Sequence, residues 1–416
     1  MIKGAIVAGV ALLFATPASG ETLREAIAQA YATNPQLAAA RARQEALEET
    51  PEQARAAGRI TVAVTGNGGY DRLGYGRAGS AAATAILPVW TGGRVRSAVR
   101  AATGDVAAGA EALRDTEALI LQSVVTAYAD LLYNQQAVEV ARVGIERLDR
   151  QVGEARSRFG LGQATQTDVA QLEAQRASVA ANLADAEGAL ATAAAGYRAA
   201  VGQDAAILTA EIPPPAPLPA TLADARERAD TNNPLLLQQR RLVEVSVARI
   251  DQARAEGAPS LDLGGSYGRG VGLVNDDARA FPAAASAGLS LRVPLLTGGL
   301  VSSRVRQAGA SAQAERFLAD AAGREARRTT DAAWASLTAA QGRLRAAIEG
   351  LAAADLALKG VRAEYGFGLR STIDILVADQ SFRGAQLSLA SARADVLVTQ
   401  AALLRAVGSL GRDAYR

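Results

Sequence analysis

Along much of the chain the apolar residues recur three and four positions apart. Leu119, Ile120, Val124, Val125, Tyr128, Leu131, Leu132 and Val138 fall in that rhythm, with Arg and Glu filling much of the space between. This is the pattern of a helix with one packed stripe and one wet face, and it resembles a coiled coil. From Arg96 to Arg158 there is no proline and only a few isolated glycines, and the same holds from Ser302 to Glu364. At about 1.5 Å per residue each stretch is predicted to be a helix of roughly 90 to 100 Å, far longer than an ordinary globular helix. Shorter return arms are expected from Asp168 to about Ala200 and from Asp374 to about Val407.

A second pattern precedes each long stretch. Ile60-Thr61-Val62-Ala63-Val64-Thr65 alternates and runs on to Tyr70, and Ala83 to Val89 supplies a partner; Leu261 to Tyr267 and Ala287 to Val293 repeat the arrangement. Alternation over such lengths predicts strands with two unlike faces. The stretches Arg72 to Ser80 and Val271 to Ala284 are expected to be loops. Helices are predicted over about Leu23 to Tyr31 and about Leu37 to Ala57, the second kinked at Pro51.

The chain repeats itself. Pro88-Val89-Trp90-Thr91-Gly92-Gly93 recurs 206 residues later as Pro294-Leu295-Leu296-Thr297-Gly298-Gly299. At the same offset of 206, Phe159-Gly160-Leu161-Gly162 with Thr167-Asp168-Val169 recurs as Tyr365-Gly366-Phe367-Gly368 with Ile373-Asp374-Ile375. No net insertion separates the motifs in one half relative to the other, as expected where a fixed length matters. Upstream, Thr22-Leu23 with Asn34-Pro35 matches Thr221-Leu222 with Asn233-Pro234 at an offset of 199. Such order points to an internal repeat.

The expected organisation is therefore a signal peptide over 1–20, a first repeat over 21–210, a proline-rich linker over 211–220, a second repeat over 221–410 and a short tail over 411–416. In the first repeat the strand pair falls at about 60–89 and the helical hairpin at about 95–201; in the second they fall at about 260–294 and 300–407. The signal peptide is read from Lys3, the apolar run Ala5 to Ala15, and the small residues Ala18 and Gly20 ahead of Glu21.

Composition narrows the function. The chain has no cysteine and no histidine, which removes disulfides, thiolate metal sites and the commonest general base. No cofactor or metal is expected. The 44 basic residues nearly balance the 42 acidic ones and are spread along the chain, unlike a nucleic-acid footprint. Neither a phosphate loop nor a nucleophile motif is present, and an enzyme is not expected.

Four isolated strands have open edges, and in a bilayer those edges would leave backbone groups without partners. Closure with other copies removes them: two chains would give eight strands and three would give twelve, and only the larger count leaves a useful lumen. A cyclic oligomer, preferably of three chains, follows. The other reading is a periplasmic coiled-coil scaffold or adaptor without a pore.

At this point the residues resemble a family. The signal peptide, the doubled order of helix, strand pair and long helix, the Pro-x-x-Thr-Gly-Gly motif at Pro88 and Pro294, and the Gly-x-x-x-x-x-Asp-hydrophobic motif at Gly162 and Gly368 look like the TolC-like outer membrane efflux and secretion channels. The resemblance spans Glu21 to about Leu410. It implies a mainly α-helical chain contributing four strands to a twelve-stranded transmembrane β-barrel in a homotrimer, above a long helical barrel crossing the periplasm. It also implies a passive conduit in the outer membrane lipid that works with a periplasmic adaptor (membrane fusion) protein and an inner-membrane efflux or ABC transporter, exporting small molecules or proteins.

The candidate residues sit at two kinds of junction. At the helix-hairpin turns, Gly160, Gly162, Gly366 and Gly368 are expected to take positive φ, and Thr167 with Asp168, or Thr372 with Asp374, to cap the returning helix. The resemblance implies a periplasmic gate formed by Asp168, Tyr365 and Arg370, with Asp374 lining the pore. The family's second pore carboxylate is replaced by Val377, and Asp379 nearby would point elsewhere on the helix. At the strand-helix joints, Pro88, Gly92, Gly93, Pro294, Gly298 and Gly299 are read as structural, with the prolines ending the strands and Thr91 or Thr297 capping.

Overall fold

The computed structural model describes residues 20–71, 76–205, 207–209, 217–274, 277–280 and 282–415. All of the expected signal peptide but Gly20, and most of the linker, lie outside them. Two helices dominate. α4 (Arg94–Gly160) and α8 (Leu300–Gly366) each run 67 residues, about 100 Å at the α-helical rise. Each turns back at its far end into a shorter helix, α5 (Gln166–Val201) and α9 (Thr372–Ala406).

Shorter helices flank the strand-side halves of the long ones. α1 (Leu23–Thr33), α2 (Pro35–Glu48) and α3 (Thr50–Ala56) precede the first strands; α6 (Leu222–Asn232) and α7 (Pro234–Ala255) precede the second. Asn34 and Asn233 occupy equivalent joints. Each side chain caps the next helix, and proline follows at the first helical position, where its missing N–H costs nothing. The expected kink near Pro51 is a break at Glu49, which leaves Pro51 in the first turn of α3.

The strands form one antiparallel sheet in the order β1 (Thr61–Asp71), β2 (Gly76–Trp90), β3 (Ser260–Val274), β5 (Ala284–Arg292), with the short β4 (Asp277–Ala280) pairing the outer end of β3. The strands are longer than the sequence predicts. Residues 76–80 and 271–274, expected in loops, continue the ladder, because glycine and serine hold strand geometry once a partner strand supplies the hydrogen bonds. Residues 277–280, also expected in a loop, form β4, and Ala284 opens β5, which leaves only 282–283 of the described loop residues outside the strands; residues 72–75, 275–276 and 281 lie outside the described set. Pro88 does not end β2. It sits at a bulge between Pro88 and Trp90, beyond Ile86, the last residue of β2 to pair with β1, so its absent N–H breaks no ladder bond on that side.

Register sorts the sheet into two faces. Val62 and Val64 pair with Ala85 and Ala83, which pair with Gly265 and Tyr267; Leu263 pairs with Leu289 and Leu261 with Leu291. The alternate positions hold Thr61, Thr65, Asn67, Ser80, Thr84, Asp262, Ser266, Ser286 and Ser290, and the hydroxyls of Ser266 and Ser286 meet at 2.8 Å. One face is thus apolar and the other polar. The apolar face is uncovered in the single chain: Val64 is 77% exposed, Leu289 68% and Leu291 66%.

The main core lies midway along α4, where α1 and the ends of α5 and α9 converge. Leu121, Val124, Val125, Tyr128 and Leu131 of α4 are buried there with Leu23, Ile27, Tyr197, Leu397, Leu404 and, from the C-terminal tail, Tyr415. Glu21 is the polar centre of this core. Its carboxylate accepts from the hydroxyl of Tyr197 at 2.7 Å and from Gln203 at 2.8 Å, and Tyr128 donates to the carbonyls of Glu21 and Thr209. Burial pushes the Tyr128 phenol up to about 12. Elsewhere the helices are joined by exposed ion pairs, such as Arg100 with Asp251, Arg249 with Asp105 and Arg343 with Asp395, each contributing little on its own.

α9 is long and apolar enough by composition to cross a membrane. Its buried Asp379 and Arg383, and its packing against α8 and α4, make it a core helix of the coiled coil.

Candidate functional site

Both hairpin turns are built alike. Gly162 and Gly368 take φ of +73 and +74, the left-handed geometry that reverses the chain after a helix. Gly160 and Gly366 do not: they are the last residues of α4 and α8. In each motif the helix carries on through the first glycine and only the second meets the sharp reversal.

The returning helices start on capping boxes, though the caps are not the expected threonines. Thr165 caps α5: its hydroxyl accepts from Asp168 N at 3.1 Å, while Asp168 Oδ2 accepts from Thr165 N at 3.0 Å and from its hydroxyl at 2.7 Å. In α9 the same part is played by Ser371, whose N and hydroxyl donate to Asp374 Oδ2 at 2.9 and 2.8 Å. Thr167 and Thr372 already lie inside the first turn. The spacing Thr165-x-x-Asp168 and Ser371-x-x-Asp374 carries this signal in the sequence. The hydroxyl and N–H of Thr165 hold the Asp168 carboxyl below the usual carboxylate range, with the Thr372 hydroxyl adding to the effect. The N–H and hydroxyl of Ser371 do the same for Asp374.

The two turns lie side by side. A crevice of about 280 Å³ between them is lined by Gln151, Glu154, Arg158 and Leu172 from the first hairpin and by Arg362, Tyr365, Thr372 and Ile375 from the second. Of the proposed gate residues, none pairs directly with another inside one chain. Arg370 donates to Glu364 at 2.7 Å, which raises its pKa. The Tyr365 ring lies under the Arg158 guanidinium, 5.2 Å from its centroid. Asp168 bonds within its own turn to Thr165, with the Thr372 hydroxyl of the second hairpin near enough to act on its carboxyl. Arg158 and Glu364 are partners that sequence reasoning missed.

A further cluster lies one to two turns up α9. Asp379, 1% exposed, faces Arg383 at 2.9 Å, Arg362 of α8 at 3.4 Å and Arg147 of α4 at 3.7 Å. It points away from the face that carries Asp374, as its helical position predicts. At the other end of the molecule, Gly92, Gly93, Gly298 and Gly299 all take positive φ. Gly93 and Gly299 are the residues preceding α4 and α8, without a side-chain cap. Thr91 and Thr297 contribute their carbonyls, which accept from Arg94 N and Leu300 N; a left-handed glycine at the cap position leaves the hydroxyl no route to the helix.

A repeat of long hairpins joined to a two-faced sheet is a distinctive arrangement, and comparison with known proteins identifies it. The sequence model of the outer membrane efflux proteins matches residues 26–203 and again 225–409. The chain belongs to this family.

Among individual members, it is 30% identical to outer membrane efflux protein BepC of Brucella suis over 99% of this chain and 91% of that protein. It is also 30% identical to outer membrane protein TolC of Escherichia coli, over 72% of this chain and 63% of that one. Solved structures share the fold: VceC of Vibrio cholerae superposes with a TM-score of 0.75 at 21% identity, covering 93% of this chain and 96% of that one. The open-state MtrE channel of Neisseria gonorrhoeae gives 0.76 at 20% identity, covering 95% and 91%. As an outer membrane efflux protein, the chain is a transport component and not a catalyst, and its helical body faces the periplasm.

Proposed function

We propose that three copies of this chain close a twelve-stranded barrel in the outer membrane and a continuous helical tunnel beneath it. The observation that carries the reading is the sheet. Among the described residues its edges, β1 and β5, are unpaired, and its apolar face is uncovered. Closure around a ring satisfies both edges, since β1 and β5 run antiparallel and can pair across subunits. The polar face then lines a lumen and the apolar face meets lipid. Trp90, opposite Leu261 on the apolar side, stands at the inner end of that face, and Tyr70 at the outer end, where aromatic girdles belong.

In this assembly the tunnel is passive. An inner-membrane transporter, driven by protons or ATP, and a periplasmic adaptor deliver small molecules or proteins to the hairpin turns. Those turns form the mouth, Asp168, Tyr365 and Arg370 act as its latch, and Asp374 lines the pore just above. The adjacency of the two turns supports the latch reading, and so does the availability of each group for exchange. Glu364 and Arg158 hold their partners by solvent-screened contacts of little individual worth, so contacts across subunits can compete with them.

The test is planar-bilayer recording of the detergent-extracted protein with its oligomer mass measured in the same preparation. Discrete conductance steps from a three-chain particle are expected. A non-conducting particle, or one of another stoichiometry, overturns the proposal.

A further inference from the structure

Among the described residues, the apolar face of the sheet carries two cations and no anion. Register puts Arg77 opposite Tyr70 and Arg269 opposite Ala81, one alternate position beyond Tyr267. Both side chains are exposed, and neither joins an ion pair among the described residues. Elsewhere arginines are regularly matched to carboxylates across helices. On this face the alternate positions from Val62 to Tyr70, from Gly79 to Leu87 and from Leu261 to Tyr267 hold only Val, Gly, Ala, Leu and Tyr, and Asp262 falls on the opposite face.

Height along the strands gives the pair a meaning. Leu261, opposite Trp90, marks the inner end of the apolar face. Eight residues of a tilted strand separate it from Arg269, about 20 Å along the membrane normal, against an apolar band of about 25 Å. Arg269 therefore stands at the outer rim of the hydrocarbon, with Arg77 about 10 Å farther out. A lipid-facing guanidinium is poorly tolerated at mid-membrane and well tolerated at this level, where its long stem can lie along apolar neighbours while the charged head reaches the headgroups. Guanidinium groups match phosphate with paired hydrogen bonds.

We propose that Arg77 and Arg269 form a site for the phosphate groups of the phosphorylated glycolipid in the outer leaflet of the outer membrane. The inference rests on the proposed barrel, which sets the depth of both residues. Three such pairs around a trimer would place an anionic lipid against each β2–β3 ladder and fix the vertical position of the barrel.

The test uses the full mature chain in a zwitterionic detergent, with native mass spectrometry after addition of lipid A or of lipid A stripped of its phosphates. Wild type is expected to retain lipid A and to release the stripped form. The Arg77→Gln/Arg269→Gln pair is expected to lose about thirtyfold in lipid A affinity, and the corresponding lysine pair much less. Equal retention by wild type and the glutamine pair overturns the proposal, and so does full displacement of lipid A by an equal concentration of inorganic phosphate, which would mark a free-anion site. The spectrum reports the oligomer of each variant. Should the double variant fail to assemble, Arg269→Gln alone supplies the comparison, with about a fivefold loss expected. Conductance in glycolipid-free phosphatidylcholine bilayers separates the two readings: steps from the glutamine pair with undiminished lipid A binding overturn this site alone, and no steps from wild type overturn the barrel.

Discussion

Asp379 Oδ2 accepts from Arg383 Nε at 2.9 Å, one turn farther along α9, and both side chains are almost wholly buried. The same carboxylate faces Arg147 of α4 and Arg362 of α8, so one negative charge ties three helices together. Deleting it leaves a buried guanidinium without its counter-charge. Asp379→Ala is expected to destabilise the detergent-extracted protein by about 3 kcal/mol, read as a drop in thermal midpoint. Asp379→Ala combined with Arg383→Leu should recover much of that loss. Equal midpoints for the single and double variants would show that Arg383 is not the group left stranded.

The proposed latch has a direction as well as a location. Asp168→Ala with Tyr365→Phe is expected to raise single-channel conductance, because bonds of roughly 0.5 to 2 kcal/mol each are lost in every subunit. Glu364→Gln frees Arg370 from its partner within the chain and is expected to act the opposite way, lengthening closed times. Unchanged conductance and lifetimes in both variants would sink the assignment.

The capping boxes make the turns sensitive to acid. Asp168 and Asp374 are held below the ordinary carboxylate range by the bonds from Thr165 and Ser371. A depressed carboxylate stabilises while ionised, so the contribution is complete above about pH 4 and is lost as pH falls through the lowered folded value. Protease cleavage within 159–165 should therefore rise at low pH in the wild type. Asp168→Asn, with nothing to protonate there, should be cut more readily at neutral pH and change less on acidification; parallel pH profiles would refute the role of the carboxylate.

The strand-helix joints separate conformational from steric demands on glycine. A Cβ at Gly92 would lie 2.5 Å from that of Ala258 and 2.8 Å from the carbonyl oxygen of Pro259, whereas Gly298 faces open space, and φ is positive at both. Gly298→Ala should cost about 1 kcal/mol of backbone strain, and Gly92→Ala about 3 kcal/mol once the clash is added. Thermal midpoints of the two variants decide it, and equal losses would place the cost in the backbone alone.

Periodicity and internal repetition made the large elements legible. The stretch free of proline from Arg96 to Arg158 lies within α4, and the alternation from Ile60 to Tyr70 marks β1. What the sequence hid was local competition. Thr165 and Thr167 are both plausible caps, and only the capping box with Asp168 singles out the first; Gly160 and Gly162 are both glycines, and only the second sits past the last helical hydrogen bond. Strand ends were hidden for a different reason. Gly76 to Ser80 reads as a loop because its ladder partners lie in β1 and, nearly two hundred residues away, in β3. The Glu21 centre was equally out of sight, since its partners Tyr197 and Gln203 are brought to it by the fold and by no motif.

The matched lengths of α4 and α8 carry a consequence for how such a chain can change. Two rulers of the same span run from one sheet to a pair of adjacent turns, so a deletion in either alone would rotate and retract one turn relative to its neighbour and pull Asp168 away from Thr372. Viable length variants are thus paired ones, with the same whole number of heptads removed from both copies. Drift in tunnel length between related channels should accordingly be found in lockstep across the two halves, a form of coevolution imposed by geometry alone.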